Sequence, residues 1–388
     1  MNSAPTHGGH HIHFPTHLFK DVFGFIKSNA VLVIAAVLAT VTSAIVPPDA
    51  EYIGYFDFKT LTCLFCTLAV ICALKNIGFF TFLAKKIVTA TGNLRMAVIA
   101  LVYITFIGSM LIANDMALLT FLPLGFFVLD STGQRKYMAF TFIMQNIAAN
   151  LGGMLTPFGN PQNLYLFSKF SIPTGQFMLT MLPPFIIAIA LITLCCIVFV
   201  KSDKLSLKKD DKKGLPVWRT VVYLVLFAFS IFIVFRAIPY WTGLIVIPIA
   251  LLFLDRRALG KVDYGLLLTF VCFFIFAGNM ARIDAVRELF SVLLEKNTLI
   301  FSALSCQVIS NVPTSILLSQ FTDNWRELLV GVNIGGAGTL IASLASLITF
   351  KEYTKNEPKK TGYYIALFSA INFAFLMILA VAEFFILR

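Results

Sequence analysis

Charge is what this chain has least of. Only 13% of its 388 residues are Asp, Glu, Lys or Arg, against about 25% in a soluble globular domain. With 59% hydrophobic residues, that scarcity excludes a water-soluble fold and points to a polytopic membrane protein. Histidine is absent after residue 17, the five being His7, His10, His11, His13 and His17. No imidazole is therefore available as ligand or base in the apolar body, and the tract reads as a disordered tail in preference to a metal site. All seven cysteines (Cys63, Cys66, Cys72, Cys195, Cys196, Cys272, Cys306) lie in apolar runs. Cys63 and Cys66 form a C-x-x-C, but within a span and without a second pair, so packing is the reading over metal or redox chemistry. No Walker motif, catalytic triad or metal-ligand spacing occurs in the spans, so the chain reads as neither a nucleotide-driven pump nor an enzyme. The opening residues are polar, so no cleavable signal peptide is expected.

Basic residues outnumber acidic ones, 30 to 19, for a net charge of +11. Such a balance can signal nucleic acid, but most of these charges sit in short segments between apolar runs. That is the positive-inside pattern, and no nucleic-acid partner is expected.

The stretch that organises the rest is Asn150 to Asn163, NLGGMLTPFGNPQN. It lies in an apolar run, yet Pro157 and Pro161 lack the N–H a helix needs and Gly159–Asn160 suits a turn. A membrane helix broken in this way must find other partners for its backbone. Asn333 to Phe350 aligns on Asn150 to Phe167 without gaps, matching at Asn150/Asn333, Gly152/Gly335, Gly153/Gly336, Thr156/Thr339, Leu164/Leu347 and Phe167/Phe350. A broken segment recurring in the other half is the best sequence pointer to a transporter site.

In chain order, residues 1–28 form a tail that ends in an amphipathic lead-in, Phe19 to Ser28. A first span and outer loop occupy 29–57. Repeat 1 covers 58–200: a span, a surface helix over Ile77 to Thr91, a hairpin, the broken span over Lys136 to Phe167, and a last span. The run from Leu94 to Leu129 would be roughly 54 Å as one helix, against a ~30 Å core, so it folds back at Asn114–Asp115. A basic linker, 201–219, divides the chain, and two spans fill 220–261. The repeat order returns in 262–388, with a surface helix over Ala281 to Lys296, a hairpin tip at Ser310–Pro313 and the second broken span. The copies start at spans two and seven, an odd difference, so they cross the membrane in opposite senses. With the N-terminus cytoplasmic, 22 of the 30 basic residues fall on inside segments, which agrees with nine spans and two re-entrant hairpins. The fold expected is an all-α inverted repeat with two hairpins and two broken helices.

Half-helix starts attract anions, and half-helix ends offer carbonyls to Na⁺. The candidate binding residues in the first copy are Asn114 and Asp115, facing Asn150, Thr156, Gly159, Asn160 and Asn163. Those in the second are Ser310, Asn311 and Thr314, facing Asn333, Thr339, Ser343 and Ser346. A Na⁺ is expected near Asn114, Asp115, Asn150 and Asn311. The alternative role for each is helix packing, as in small-xxx-small motifs. Asp115 is the only acid in the apolar stretches of the first repeat, so it is the candidate for a proton or cation. Gln145, Asn146 and Gln307 are further polar residues within spans. Arg282, Arg287 and Glu288 read as a solvated face.

GNPQN at Gly159 to Asn163, after NLGG, and SNVPTS at Ser310 to Ser315 resemble the signatures of the ion-transporter superfamily. The similarity is to its citrate-transporter-like branch, which includes arsenite permeases, sodium–proton antiporters and divalent-anion symporters. The resemblance covers nearly the whole chain from Phe58. It implies a homodimer whose transport domain, with both hairpins and both broken spans, moves like an elevator against a scaffold. The dicarboxylate symporters place Ser-Asn-Thr at each tip. The tips here read Ala113-Asn114-Asp115 and Ser310-Asn311-Val312, which weakens a dicarboxylate site and favours a cation- or proton-coupled variant. The function expected is a secondary transporter, in a prokaryotic inner membrane, for a small anion or oxyanion coupled to Na⁺ or H⁺. The alternatives are a cation–proton antiporter, an arsenite efflux permease and, from another class, a channel or receptor-like membrane protein.

Overall fold

The computed structural model describes residues 29–204 and 214–388. The histidine tract, the lead-in over Phe19 to Ser28 and the centre of the basic linker lie outside the described residues. Among these residues the structure is helical, with one isolated antiparallel bridge between Asn93 and Lys204.

Helix α1 (Ala30–Ile45) is followed by a short 3-10 turn and α2 (Phe58–Asn76). Asp57 starts α2 by accepting from the Thr60 N–H at 2.9 Å, which satisfies one of the orphan donors of a first turn. Gly78, at φ 74°, turns the chain into the surface helix α3 (Phe79–Val88), and only glycine takes that backbone freely. Then come α4 (Leu94–Ile112), α5 (Asn114–Ser131), α6 (Met138–Gly152), α7 (Pro161–Lys169) and α8 (Thr174–Phe199). Helices α9 (Val217–Val234), α10 (Tyr240–Leu254) and the short α11 (Arg256–Gly260) follow. The second series is α12 (Tyr264–Ala281), α13 (Asp284–Ile309), α14 (Asn311–Leu318), α15 (Trp325–Ile334), α16 (Leu344–Asn356) and α17 (Thr361–Ile386).

The same order occurs twice, and the contacts give its sense. The end of α2 meets the start of α12, where Lys261 Nζ donates to Asn76 Oδ1 at 2.7 Å. At the opposite ends, Arg282 after α12 donates to Tyr55 before α2 at 3.1 Å. The two leading helices therefore run antiparallel, and the repeat is inverted. Contacts also divide the helix ends into two faces. One is rich in lysine, with Lys261 on Asn76, Lys204 bridged to Asn93 and Lys360 paired with Glu357. There the Leu94 N–H donates to the Asp203 carbonyl, Arg95 Nε to the Val200 carbonyl, and Arg135 lies 3.8 Å from Glu357. On the other, Lys169 reaches Gln320, and Arg236 stacks on Phe167 with its guanidinium 4.3 Å from the ring centroid.

Among the described residues seven helices are long and apolar enough to cross a membrane, and α1 and α10 are shorter apolar helices. The seven include α4 and α13, which the sequence reads as a hairpin arm and as a surface helix plus arm. In α13 those two parts are continuous except at Asn297 (φ −168°, ψ 97°). Asn297 Oδ1 accepts from the Ile300 N–H at 2.8 Å, so one residue both breaks the helix and restarts it. Helix α4 has 19 residues, but Ala113 (φ 64°, ψ 151°) turns the chain back and α5 packs alongside. Every residue of α6 is buried, as are Leu328 to Ile334 of α15. The broken helices thus form the centre, while α8, α9 and α17 expose Leu179, Val198, Phe232, Met377 and Phe385 outward, an apolar perimeter suited to lipid.

Each hairpin touches its broken helix through glycine. A Cβ on Gly152 would meet Ser109 Oγ at 2.7 Å and the Phe106 carbonyl, and one on Gly335 would meet Cys306 Sγ at 2.9 Å and Ala303 Cα at 3.0 Å. Gly152→Ala is expected to lower stability by about 1–3 kcal/mol through overpacking, while Gly362→Ala, with open space around it, does not. Thermal unfolding in detergent compares the two. At the far face, the Arg282 hydrogen bond at 2.7 Å holds the Asp49 carboxyl below its ordinary pKa. Its stabilising effect is complete above the ordinary carboxylate range and fades as pH falls through the lowered value. An Asp49→Asn variant is therefore expected to unfold earlier than the parent at neutral pH, with the gap closing in acid.

Candidate substrate and ion site

Where a membrane helix stops, its last carbonyls and first N–H groups need partners. The two hairpin tips meet that need in the same way. Ala113 (φ 64°, ψ 151°) and Ser310 (φ 72°, ψ 158°) take the same strained backbone. The asparagine that follows each one accepts from the next backbone N–H: Asn114 Oδ1 from Asp115, and Asn311 Oδ1 from Val312, both at 2.9 Å. Matching hydroxyls tie each hairpin to its break. Thr156 Oγ1 donates to the Met110 carbonyl at 2.8 Å, and Thr339 Oγ1 to the Gln307 carbonyl at 3.0 Å. Gln307 adds a clip by donating to Gly335 O at 2.8 Å and accepting from Thr339 N at 2.9 Å.

A buried amide network joins the halves. Asn114 Nδ2 donates to Asn150 Oδ1 at 3.1 Å, and Asn150 Nδ2 reaches Asn146 Oδ1 at 3.5 Å. Asn146 donates to Ser346 Oγ at 3.3 Å, and Ser346 pairs with Ser343 at 3.0 Å. Asn160 Nδ2 donates both to the Asn150 carbonyl at 3.2 Å and to Asn333 Oδ1 at 3.3 Å. Asn333 Nδ2 donates to Asn163 Oδ1 at 2.6 Å, and Asn163 Nδ2 holds the carbonyls of Gly153, Met154 and Thr156. Asn311 Nδ2 and Asn150 Oδ1 both lie against Gly336. Gly159 packs against the Gly153 carbonyl.

The sequence pairs each tip with its own repeat. Asn114 does meet Asn150, but Asn160 and Asn163 reach across to Asn333. That crossing depends on inversion, which brings the two breaks together at one depth. Thr314 bonds back to the Ser310 carbonyl at 2.7 Å, and with Thr156 and Thr339 it holds backbone. Gln145 bonds to Thr105 at 3.0 Å inside the packing. Arg287 and Glu288 are exposed and Arg282 is half-buried in its ion pairs.

Between the two tips lies a cavity of about 200 Å³ lined by Asn114, Asp115, Pro161, Gln162, Ser310, Asn311 and Leu344. Its other wall is α1 (Val31, Ile34, Leu38) and α12 (Leu266, Thr269, Phe273). Four helices begin at this cavity: α5 at Asn114, α7 at Pro161, α14 at Asn311 and α16 at Leu344. Each start carries a partial positive charge, and among the described residues no Lys or Arg lines the space. Asp115 Oδ1, Asn160 Oδ1 and Gln162 Oε1 are enclosed and have no hydrogen-bond partner among the described residues. Sequence reasoning missed Gln162, Thr269 and the α1–α12 wall. Gln162 sits within the motif and its amide was a usable signal, whereas α1 and α12 look like ordinary apolar spans.

Comparison with known proteins bears on the family and the fold. A family model described as citrate transporter matches residues 22–324. An uncharacterized transporter of Methanocaldococcus jannaschii is 32% identical over 85% of this chain and 90% of its own length. Inner membrane protein YbiR of Escherichia coli is 27% identical over 76% of this chain and 80% of its own. The silicon efflux transporter LSI3 of Oryza sativa subsp. japonica is 29% identical over 48% of this chain and 38% of its own. The crystal structure of the YdaH transporter of Alcanivorax borkumensis, described as having an unusual topology, has a TM-score of 0.54 at 12% identity, covering 92% of this chain and 96% of that one. At that identity the likeness is one of fold.

The Asn163–Asn333 bond gives a sharp test of the network. Asn163→Ala and Asn333→Ala each leave buried amides unpaired and are expected to cost about 1–3 kcal/mol. The double variant should fall short of their sum, because both remove the same bond. A double-mutant cycle on detergent-solubilised protein measures the coupling.

Proposed function

Because the chain belongs to the citrate transporter family of membrane transporters, we propose that it is a secondary active carrier for a small anion, inorganic oxyanions foremost, coupled to H⁺ or Na⁺. The observation that carries this reading is the convergence of four helix starts on one small cavity beside Asp115. Helix starts favour negative charge without a fixed cation, which suits a site that must release what it binds. At about 200 Å³ the cavity lies below the ~300–1,000 Å³ of drug-sized pockets, which favours a compact solute. The rice relative, named a silicon efflux transporter, is in keeping with an oxyanion or its conjugate acid. Asp115 is the coupling residue in this reading, with Asn114, Asn150 and Asn311 beside the ion.

The cavity is shared between the hairpins and broken helices on one side and α1 and α12 on the other. This supports an elevator motion of the first group against the second, in a homodimer. The lysine-rich face is the cytoplasmic one, with the N-terminus inside and the protein in a prokaryotic inner membrane. A cation–proton antiporter is the second reading, supported by an Asp115 oxygen without a partner and a cavity without basic lining among the described residues.

Proteoliposome flux separates these readings. Citrate, silicate and arsenite are each offered with Na⁺ and pH gradients imposed separately. Saturable, gradient-driven anion counterflow is expected, and cation exchange that needs no anion would sink the carrier reading in favour of the antiporter. Asp115→Asn is expected to abolish dependence on the coupling ion, seen as flat pH and Na⁺ profiles. Asn311→Ala should raise the half-saturating anion concentration about tenfold, the loss of a hydrogen bond to a charged ligand.

A further inference from the structure

Three further cavities lie between the central one and the lysine-rich face. A neck of about 70 Å³ holds Asp115 and Asp263, together with Leu266 and Leu344, which also line the central cavity. A wide vestibule of about 630 Å³ holds Lys75, Lys261 and Asp263, and shares Met116 and Leu119 with the neck. A side opening of about 130 Å³ holds Asp263 and Lys351, and shares Thr269 with the central cavity. Asp263 thus borders every one of these openings, and its carboxylate is fixed there because Oδ1 accepts from the Leu266 N–H at 2.9 Å to start α12. Across the neck, Asp115 presents an enclosed oxygen with no partner among the described residues.

The charges therefore change sign along the route. Lysines draw an anion into the vestibule, and two carboxylates then stand between it and the helix starts. A like charge at close range in a narrow, partly dry passage is strongly repelled. We propose that Asp263, with Asp115, forms an electrostatic gate on the lysine-rich side, which admits an anion to the central cavity only when a proton or Na⁺ neutralises the pair. The gate builds on the anion-carrier reading and supplies its coupling. Empty return of anion is blocked by charge, so no mechanical plug is needed. The groups facing Asp263 are Lys75 from α2, Lys261 from its own loop, Lys351 from α16 and Asp115 from the tip. The lysines set the field on the vestibule side, and Asp115 sets it on the cavity side.

The test uses thiol labelling, which does not depend on knowing the carried solute. Thr269→Cys places a reporter in the central cavity of the full chain, in a Cys72→Ala background because Cys72 lines the vestibule. Anionic sulfonatoethyl and cationic trimethylammonioethyl methanethiosulfonates are applied to the lysine-rich face, and their rates are normalised to a free thiol. The cationic reagent is expected to react about tenfold faster, and Asp263→Asn to remove most of that preference. Asparagine caps a helix as well as aspartate does, and Asp263→Ser is a second capping variant that should act alike. In the Asp263 chain, acid or Na⁺ (replacing an inert organic cation at constant ionic strength) should narrow the ratio, and the effective one is the neutralising ion. An identical ratio in the Asp263, Asp263→Asn and Asp263→Ser chains would overturn the gate, as would a ratio indifferent to both pH and Na⁺. If the ratio responds but no candidate anion is carried, the carrier reading fails and the gate stands. Coupled anion flux with an unresponsive ratio sinks the gate alone.

Discussion

A peptide group cannot be left unpaired in hydrocarbon, and this fold is arranged around the places where its helices stop. At each stop several N–H and C=O groups lose their helical partners, at a cost of several kcal/mol apiece in lipid. The chain answers with asparagine. Asn163 holds the Gly153, Met154 and Thr156 carbonyls, Asn160 holds that of Asn150, and Asn114 and Asn311 each satisfy the N–H that follows. Asn114, Asn160 and Asn163 spend part of their bonding on backbone and the rest on another amide. The breaks are therefore stabilised jointly, and the two halves of the molecule are joined through Asn333.

Function follows from the same arrangement. Helices that begin in the interior expose their positive ends there, and the inverted repeat brings four such ends to one cavity. In the proposed anion carrier the attraction is spread over backbone dipoles, which would hold an anion without trapping it. Polar side chains that might have been ligands (Thr156, Thr314, Thr339) instead bond backbone carbonyls. They hold the hairpins at the right distance, and the glycines at 152 and 335 make that distance short.

Asymmetry lies on top of the symmetric frame. Tip one carries Asp115 where tip two carries Val312, and the first break is amide-rich where the second offers Ser343 and Ser346. The acidic tip is also the one beside Asp263 and the basic vestibule. Titratable chemistry is confined to one side of the cavity, so one half of the repeat can serve ion coupling while both halves share the helix starts.

By itself the sequence determined the helical class, the broken segments, the hairpin tips and the inverted order. These are local consequences of proline, glycine, asparagine and long apolar runs, which no packing in lipid can override. It named Asn114, Asp115, Asn311 and the amide run as candidates, each tip within its own repeat, and the structure places Asn114, Asp115 and Asn311 on one cavity. Tertiary structure alone decided which amide bonds which, since Asn160 and Asn333 are 173 positions apart and meet only because the halves are inverted. It likewise decided that α1 and α12 wall the cavity and that Asp263, to all appearance an ordinary helix cap, stands at its mouth. A cap's local signal is complete without reference to what it faces, so its role depends on distances between elements that no local pattern encodes.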